Sequence, residues 1–146
     1  MSVVARLLAG VIALAALAGF GDSAQAQAEK CIGNPGIDYD IQIGSCTSAI
    51  RSGRWSGKGL SWAFNNRGMA YSAQGEYDRA IVDYEQAMKL DPKDALAVNN
   101  LANAYYRKGE YARAIPYYDR ALRLNPNFAI AKKNRASAIE MRDKQN

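Results

Sequence analysis

The sequence contains no histidine, and its 146 residues include only two cysteines. Histidine is the most frequent general base in enzymes and a common zinc ligand, so its absence removes the simplest hydrolytic and metal-dependent mechanisms. Two thiolates alone do not complete a tetrahedral zinc site. The glycines of residues 53–59 lack the lysine–serine step and the preceding strand of a phosphate-binding loop. The sequence therefore predicts no metal site, no cofactor and no enzymatic activity.

A long apolar run occurs only near the start of the chain, at residues 7–20. It is shorter than the roughly 20 apolar residues that span a bilayer. Arg6 precedes the run and Ala24-Gln25-Ala26 follows it, which is the order of a secretory signal peptide. We expect residues 1–26 to be removed on export, with cleavage after Ala28 or an uncleaved anchor as alternatives. The expected location is the periplasm or the outside of the cell, with no stable membrane insertion after cleavage.

Basic residues outnumber acidic residues by 19 to 14, which gives a net charge of +5. The charges are spread along the chain, so the sequence does not predict nucleic-acid binding. In an exported protein, a basic balance favours encounters with acidic partners or with the anionic envelope.

Both cysteines, Cys31 and Cys46, follow the signal segment closely. In an oxidising compartment an isolated pair of this kind predicts a disulfide. The closed loop has a sequence separation of about 15 residues, for which chain entropy gives a stabilisation of roughly 3 kcal/mol.

An internal repeat of 34 residues organises the rest of the chain. Residues 61–94 align with residues 95–128 without a gap and match at 15 of 34 positions. Unrelated sequences would match at about one position in seventeen. In each copy, apolar and small residues recur every three or four positions along two segments, which predicts a pair of helices. Glycine separates the helices, and a proline follows the second helix of each pair.

The repeated positions resemble the tetratricopeptide-repeat (TPR) family, in its small exported bacterial form. The first copy has the family's aromatic, small, tyrosine, alanine, aromatic, alanine and proline places in Phe64, Gly68, Tyr71, Ala80, Tyr84, Ala87 and Pro92. The second copy has Val98, Ala102, Tyr105, Ala114, Tyr118, Ala121 and Pro126. Two departures are Val98 in place of an aromatic residue and Pro116 inside a helix, where it should remove one hydrogen bond and bend the helix. The resemblance implies an all-α fold, a short right-handed solenoid of antiparallel helix pairs with a capping helix.

The flanking segments match parts of the same repeat. Residues 129–146 match the first helix of a repeat and then become charged, which predicts a polar capping helix. Residues 27–60 contain a degenerate first repeat, whose second helix lies near residues 40–50, and a glycine-rich connector expected to be an exposed loop. The predicted divisions are therefore 1–26, 27–60, 61–94, 95–128 and 129–146.

The resemblance also implies a binding surface, because TPR proteins hold ligands in a concave groove lined by the first helix of each repeat. Carried across place by place, the groove is expected to include Asn65, Asn66, Met69, Asn99, Asn100, Asn103, Tyr106, Arg107, Lys133 and Asn134. The same places also include Ser72, Ala73, Leu96, Ile130 and Ser137. The amides of Asn66, Asn100 and Asn134 are suited to the backbone of an extended peptide. Asparagine at this place is equally consistent with family background.

One TPR subclass binds the terminal carboxylate of its partner through lysine, asparagine and arginine side chains. This chain has Asn65 and Met69 where that subclass has lysine and asparagine, and Ile130 and Asn134 where it has lysine and arginine. The sequence therefore does not predict a carboxylate clamp.

The resemblance implies a protein-interaction module, or adaptor, that binds a partner protein or peptide. A homo-oligomeric structural component of an envelope complex is the alternative, because short repeat arrays can stack end to end. A catalytic alternative would require Asn103, Tyr106, Arg107 and Lys133 to converge on a pocket. We expect Tyr106 to be the principal contact residue, since aromatic side chains are enriched in interface hot spots.

Overall fold

Seven α-helices and one short 3₁₀ helix make up the described part of the chain, which is residues 25–33 and 36–145 of a computed structural model. Helix α1 covers residues 25–32. The other helices are α2 (Tyr39–Arg51), α3 (Ser61–Ala73), α4 (Tyr77–Leu90), α5 (Ala95–Arg107), α6 (Tyr111–Leu124) and α7 (Ala129–Gln145), with a 3₁₀ helix at Gly57–Leu60. These residues contain no strand. Helices adjacent in the sequence pack against each other, and the predicted all-α solenoid of helix pairs is confirmed.

The predicted signal segment falls mainly on residues 1–24, which lie outside the described residues. Residues 25 and 26 belong to α1, so both predicted cleavage points lie within this helix. Over the ranges 25–33 and 36–145, no helix is long and apolar enough to cross a membrane.

The two complete helix pairs turn through the same glycine-ended motif. Gly75 and Gly109 have φ values of 79° and 80°, a region that glycine enters without the steric cost of a Cβ atom. At the first turn, the Glu76 N–H donates to the Tyr71 carbonyl at 2.9 Å and the Gly75 N–H donates to the Ser72 carbonyl at 3.1 Å. These bonds satisfy carbonyls that the end of α3 leaves unpaired and start α4 in the antiparallel direction.

Small residues and tyrosines form the core between the helices. Ala80, Ala102 and Ala114 are fully buried, so the helix backbones lie close together. Tyr105 and Tyr118 are among the largest fully buried side chains and fill the remaining volume. The predicted repeat-core residues therefore have the packing role that their spacing indicated.

The amino-terminal end is held by a separate small core. Cys31 of α1 and Cys46 of α2 are joined in a disulfide, and both are completely buried. The Gln42 Nε2 atom donates to the Cys31 carbonyl at 3.1 Å, which adds a second link between the two helices. Trp55 and Trp62 pack against this core, with ring centroids 5.4 Å apart and perpendicular planes. The sequence did not predict α1 as a helix, because the segment from Cys31 to Gly36 is short and rich in glycine and proline.

The segment between α2 and α3 was expected to be an exposed loop. Its residues 52–54 and 56–59 are exposed, but Gly57–Leu60 forms a 3₁₀ helix and Trp55 is half-buried. Pro116 is exposed on α6, which continues unbroken to Leu124. Helix α7 buries Ala131 and Ala138 against its neighbours and exposes lysines on its outer side, as expected of a capping helix.

Candidate functional site

A concave cavity of about 670 Å³ opens between the first helices of successive repeats. Helices α3, α5 and α7 provide most of its lining, and α4 contributes two tyrosines. The lining residues are Met69, Ser72, Ala73, Tyr77, Tyr84, Asn100, Asn103, Tyr106, Arg107, Asn134 and Ser137. Nine of the predicted groove residues therefore lie together: Met69, Ser72, Ala73, Asn100, Asn103, Tyr106, Arg107, Asn134 and Ser137.

The lining asparagines are held in two hydrogen-bonded pairs that connect neighbouring repeats. Asn100 Nδ2 donates to Asn65 Oδ1 at 3.1 Å, which joins α5 to α3. Asn134 Nδ2 donates to Asn103 Oδ1 at 3.0 Å, which joins α7 to α5. The hydroxyl of buried Tyr118 donates to the same Asn103 oxygen at 2.5 Å. Each of these bonds uses only one N–H of the Asn100 or Asn134 amide. The carbonyl oxygen and the second N–H of each side chain therefore remain for a ligand.

Tyr106 stands in the middle of the lining and is half-buried. Its ring packs edge-on against Tyr111, with the centroids 5.1 Å apart. This contact with the first residue of α6 limits the motion of the ring. Tyr106 therefore offers a flat aromatic surface whose position is set before a ligand arrives, which lowers the entropy cost of binding.

Tyr77 and Tyr84, both from α4, line the cavity although their places in the repeat did not predict this. Tyr84 is only 2% exposed and belongs to the core, as predicted, but the edge of its side chain also reaches the cavity wall. A Cβ atom on Gly68 would lie 2.8 Å from the Tyr84 ring, so this glycine lets the ring approach α3 closely. Burial raises the pKa of the Tyr84 hydroxyl, which is therefore neutral at ordinary pH. Tyr77 begins α4 and aligns with Tyr111, which begins α6. This repeated tyrosine was the sequence feature that could have indicated a role for Tyr77.

Arg107 supplies the positive charge of the cavity, and its side chain is exposed. None of the described lining residues is acidic. The lining therefore combines amides, hydroxyls and aromatic rings with a single cation. This set suits an extended polypeptide with a negative or polar group near Arg107, and it lacks the several cations of a carboxylate clamp.

Six predicted groove residues lie outside the cavity, among them Leu96 and Ile130, which are exposed. Asn65 is buried beneath it as the partner of Asn100, and Asn99 is 2% exposed with an Oδ1 atom that has no partner among the described residues. Asn66 is half-buried and Lys133 is exposed, and neither contributes to the lining. The cavity crosses the helices obliquely, from the last turn of α3 to the middle of α7. Consequently the residues early in α3 do not reach it. Lys133 does not meet Asn103, Tyr106 and Arg107 in the cavity, which the catalytic alternative required.

Comparisons with known proteins show which solved structures have a similar architecture. A search of curated proteins gave no match. Among solved structures, the first TPR of Spaghetti (RPAP3) bound to the HSP90 peptide SRMEEVD has a TM-score of 0.65 at 22% identity, covering 70% of this chain and 78% of that one. The Arabidopsis OM64 TPR domain has a TM-score of 0.71 at 21% identity, covering 80% and 94%. The TPR2B domain of yeast Sti1, in a complex with pHsp70, has a TM-score of 0.66 at 18% identity, covering 86% and 97%.

At these low identities, the structural similarity establishes only the fold. Family membership rests on the match of the sequence to a family profile. The sequence profile of the Tetratricopeptide repeat family matches residues 65–139, just over half of the chain. The match begins within α3 and ends within α7, so it includes every residue that lines the cavity. The chain therefore belongs to the tetratricopeptide-repeat family.

Proposed function

We propose that this protein is an interaction module that holds an extended segment of a partner protein in the cavity between α3, α5 and α7. The observation that carries the proposal is the pairing of Asn100 with Asn65 and of Asn134 with Asn103. These bonds fix two amides one repeat apart on the cavity wall. Each amide keeps an acceptor and a donor with which a peptide backbone can pair.

The structural neighbours support a peptide as the ligand. The TPR of Spaghetti is bound to an HSP90 peptide, and the TPR2B domain of Sti1 is in a complex with pHsp70. The HSP90 peptide, SRMEEVD, contains three acidic residues. In the present chain Arg107 is the group that would meet an acidic side chain of the ligand, while Tyr106 would contact an apolar one.

We propose further that the ligand is recognised along its length rather than by its terminal carboxylate. The cavity has one cation, Arg107, where a clamp would hold a carboxylate with several. A peptide with an amidated carboxyl terminus should therefore bind as tightly as the same peptide with a free terminus. A large loss of affinity on amidation would contradict this part of the proposal.

We propose that the protein acts after export, in the periplasm or outside the cell. The amino-terminal apolar run followed by Ala24-Gln25-Ala26 supports export, and the Cys31–Cys46 pairing is consistent with an oxidising compartment. Cell fractionation with detection of the processed mass tests this location. Recovery of the unprocessed chain in the cytoplasm alone would contradict it.

Capture of partners tests the binding function directly. The purified protein, immobilised and exposed to an envelope extract, should retain a partner that Tyr106→Ala and Asn100→Ala release, each through an affinity loss of about tenfold. Val82→Ala is the matched control, because Val82 is 65% exposed on α4 and does not line the cavity. Equal recovery by all variants would place the interaction elsewhere.

Self-association is the second candidate, and exposed apolar residues at the first repeat favour it. Ile32 and Ile41 are 59% and 52% exposed, and Tyr39 is 47% exposed. A second copy stacked on this end would cover them. Light scattering separates the candidates, since a monomer over the accessible concentration range excludes a stable assembly, whereas a dimer that Ile32→Ser and Ile41→Ser dissolve supports it.

A further inference from the structure

The charge of the chain is concentrated in its carboxyl-terminal half. Residues 27–94 contain eight basic and nine acidic residues, whereas residues 95–146 contain ten basic and four acidic residues. All four of these acidic residues are engaged in ion pairs: Glu110, Asp119, Glu140 and Asp143. Several cations of this half therefore have no carboxylate partner among the described residues.

Three arginines surround a shallow cleft on the outer side of α6. The cleft has a volume of about 510 Å³ and is lined by Ala112, Arg113, Pro116, Tyr117, Arg120 and Arg123. It shares no residue with the cavity proposed to hold the peptide. Its base is apolar and its rim carries the guanidinium groups, which have five N–H donors each.

Two of the arginines are held in place by the fold. Arg113 donates to the Tyr105 hydroxyl at 2.9 Å, pairs with Glu110, and stacks over the Tyr105 ring at 4.2 Å from its centroid. Arg120 donates to the Pro92 carbonyl at 3.1 Å. A guanidinium that is already positioned loses less conformational entropy when it binds an anion.

The preceding repeat shows that packing does not require an arginine at the places of Arg120 and Arg123. Arg113 is different, because its counterpart Arg79 bonds to Tyr71 and pairs with Glu76 in the same way. The aligned positions on α4 are Asp78, Arg79, Val82, Asp83, Gln86 and Lys89, which carry two acidic and two basic residues. Helix α6 carries three basic residues and no acidic residue at the same places. Pro116 replaces Val82 and has no N–H to donate to the Ala112 carbonyl.

We propose that this arginine-rimmed face of α6, formed by Arg113, Arg120 and Arg123 around Pro116, is a second docking surface that binds an acidic segment of a partner protein. Guanidinium groups pair bidentately with carboxylates, and three of them match a run of aspartate and glutamate side chains. A membrane surface fits less well, because Leu124 is the large apolar side chain exposed on this helix and it is only 37% exposed. Attachment to an anionic bilayer would ordinarily insert bulkier apolar residues.

A labelled peptide of alternating aspartate and glutamate is the probe, and its amide counterpart of asparagine and glutamine is the neutral control. The acidic peptide should bind the purified protein with an affinity that falls as salt is added, whereas the neutral peptide should not bind. Replacing both Arg120 and Arg123 with glutamine should weaken binding about tenfold or more. Arg123→Gln alone, which removes no contact described in the structure, should give a smaller loss with an unchanged melting temperature.

Lys89→Gln is the matched control, because Lys89 occupies on α4 the place of Arg123 on α6. It should leave the affinity unchanged. If Lys89→Gln weakened binding of the acidic peptide as much as Arg123→Gln does, the binding would reflect general charge attraction, and the proposal would be overturned. A loss from Arg107→Gln with none from the paired α6 change would place the acidic ligand in the other cavity and also overturn it. Binding to vesicles of phosphatidylglycerol without binding to the acidic peptide would overturn it in favour of a membrane.

Discussion

Arg67 and Asp83 form a two-pronged ion pair between α3 and α4, with Nε to Oδ2 at 2.8 Å and a terminal guanidinium nitrogen to Oδ1 at 2.7 Å. Their side chains are 18% and 4% exposed. Arg67 also donates to Thr47 Oγ1 at 3.0 Å, so the pair connects the first repeat to the second helix pair. The aligned positions of the next repeat hold Leu101 and Tyr117, which make an apolar contact surface instead.

The pair should be strongly coupled in folding stability. Asp83→Ala leaves the Arg67 guanidinium partly buried without its carboxylate and should lower the free energy of unfolding by about 3 kcal/mol. The double change Arg67→Leu with Asp83→Tyr copies the next repeat and should cost less than the sum of the two single changes by about 1–3 kcal/mol. Urea unfolding of the unchanged protein, Arg67→Leu, Asp83→Tyr and the double variant measures this coupling. Additive effects would show that the two side chains are energetically independent.

The disulfide should stabilise the first repeat. Thiol titration of the unfolded, unreduced protein is expected to detect no free thiol, and reduction should lower the free energy of unfolding by about 3 kcal/mol for a loop of this size. Cys46→Ala serves as the control, since its stability should no longer respond to reductant. Two titratable thiols in the unreduced protein would contradict the bond between Cys31 and Cys46.

Two helical glycines should respond to alanine in opposite directions. At Gly68 the new Cβ atom would lie 2.8 Å from the Tyr84 ring, and relieving this contact should cost about 1–3 kcal/mol, of which better helix propensity returns about 1 kcal/mol. At Gly44 in α2 the Cβ atom would meet nothing within 4 Å, so Gly44→Ala should stabilise the protein by up to about 1 kcal/mol. Thermal unfolding distinguishes them, and a stabilising Gly68→Ala would show that the Tyr84 ring moves without cost.

Stability should decline in alkaline solution because two tyrosines are buried in neutral form. Burial raises the pKa of Tyr84 and of Tyr118 above the unfolded value of about 10. A group whose folded pKa is raised contributes stability that is fully present below the unfolded pKa and is lost as the pH rises above it. Urea unfolding should therefore show a free energy of unfolding that falls as the pH rises above about 10, and Tyr118→Phe should reduce the slope of that fall. Parallel pH curves for the two proteins would contradict this assignment.

The alignment of the two 34-residue repeats predicted most of the fold, because it fixes the order of helix, glycine turn and helix in each repeat. The cavity was harder to predict, since successive residues on a helix point about 100° apart. Asn99 and Asn100 are neighbours in sequence, yet Asn99 is buried between helices and Asn100 lines the cavity. The groove residues were predicted from the same places in every repeat. The cavity instead crosses the helices obliquely, so it does not include Asn66. Helix α1 was missed because the segment that follows Cys31 is short and rich in glycine and proline, which disfavours a helix.

Amide chemical-shift mapping with a peptide derived from a captured partner would show whether a peptide lies between α3, α5 and α7. We expect the shift changes to be concentrated at Asn100, Asn103, Tyr106, Asn134 and Ser137. These changes should be lost in Tyr106→Ala and retained in Val82→Ala. Changes confined to the outer faces of α4 and α6, with the cavity residues unaffected, would contradict this expectation.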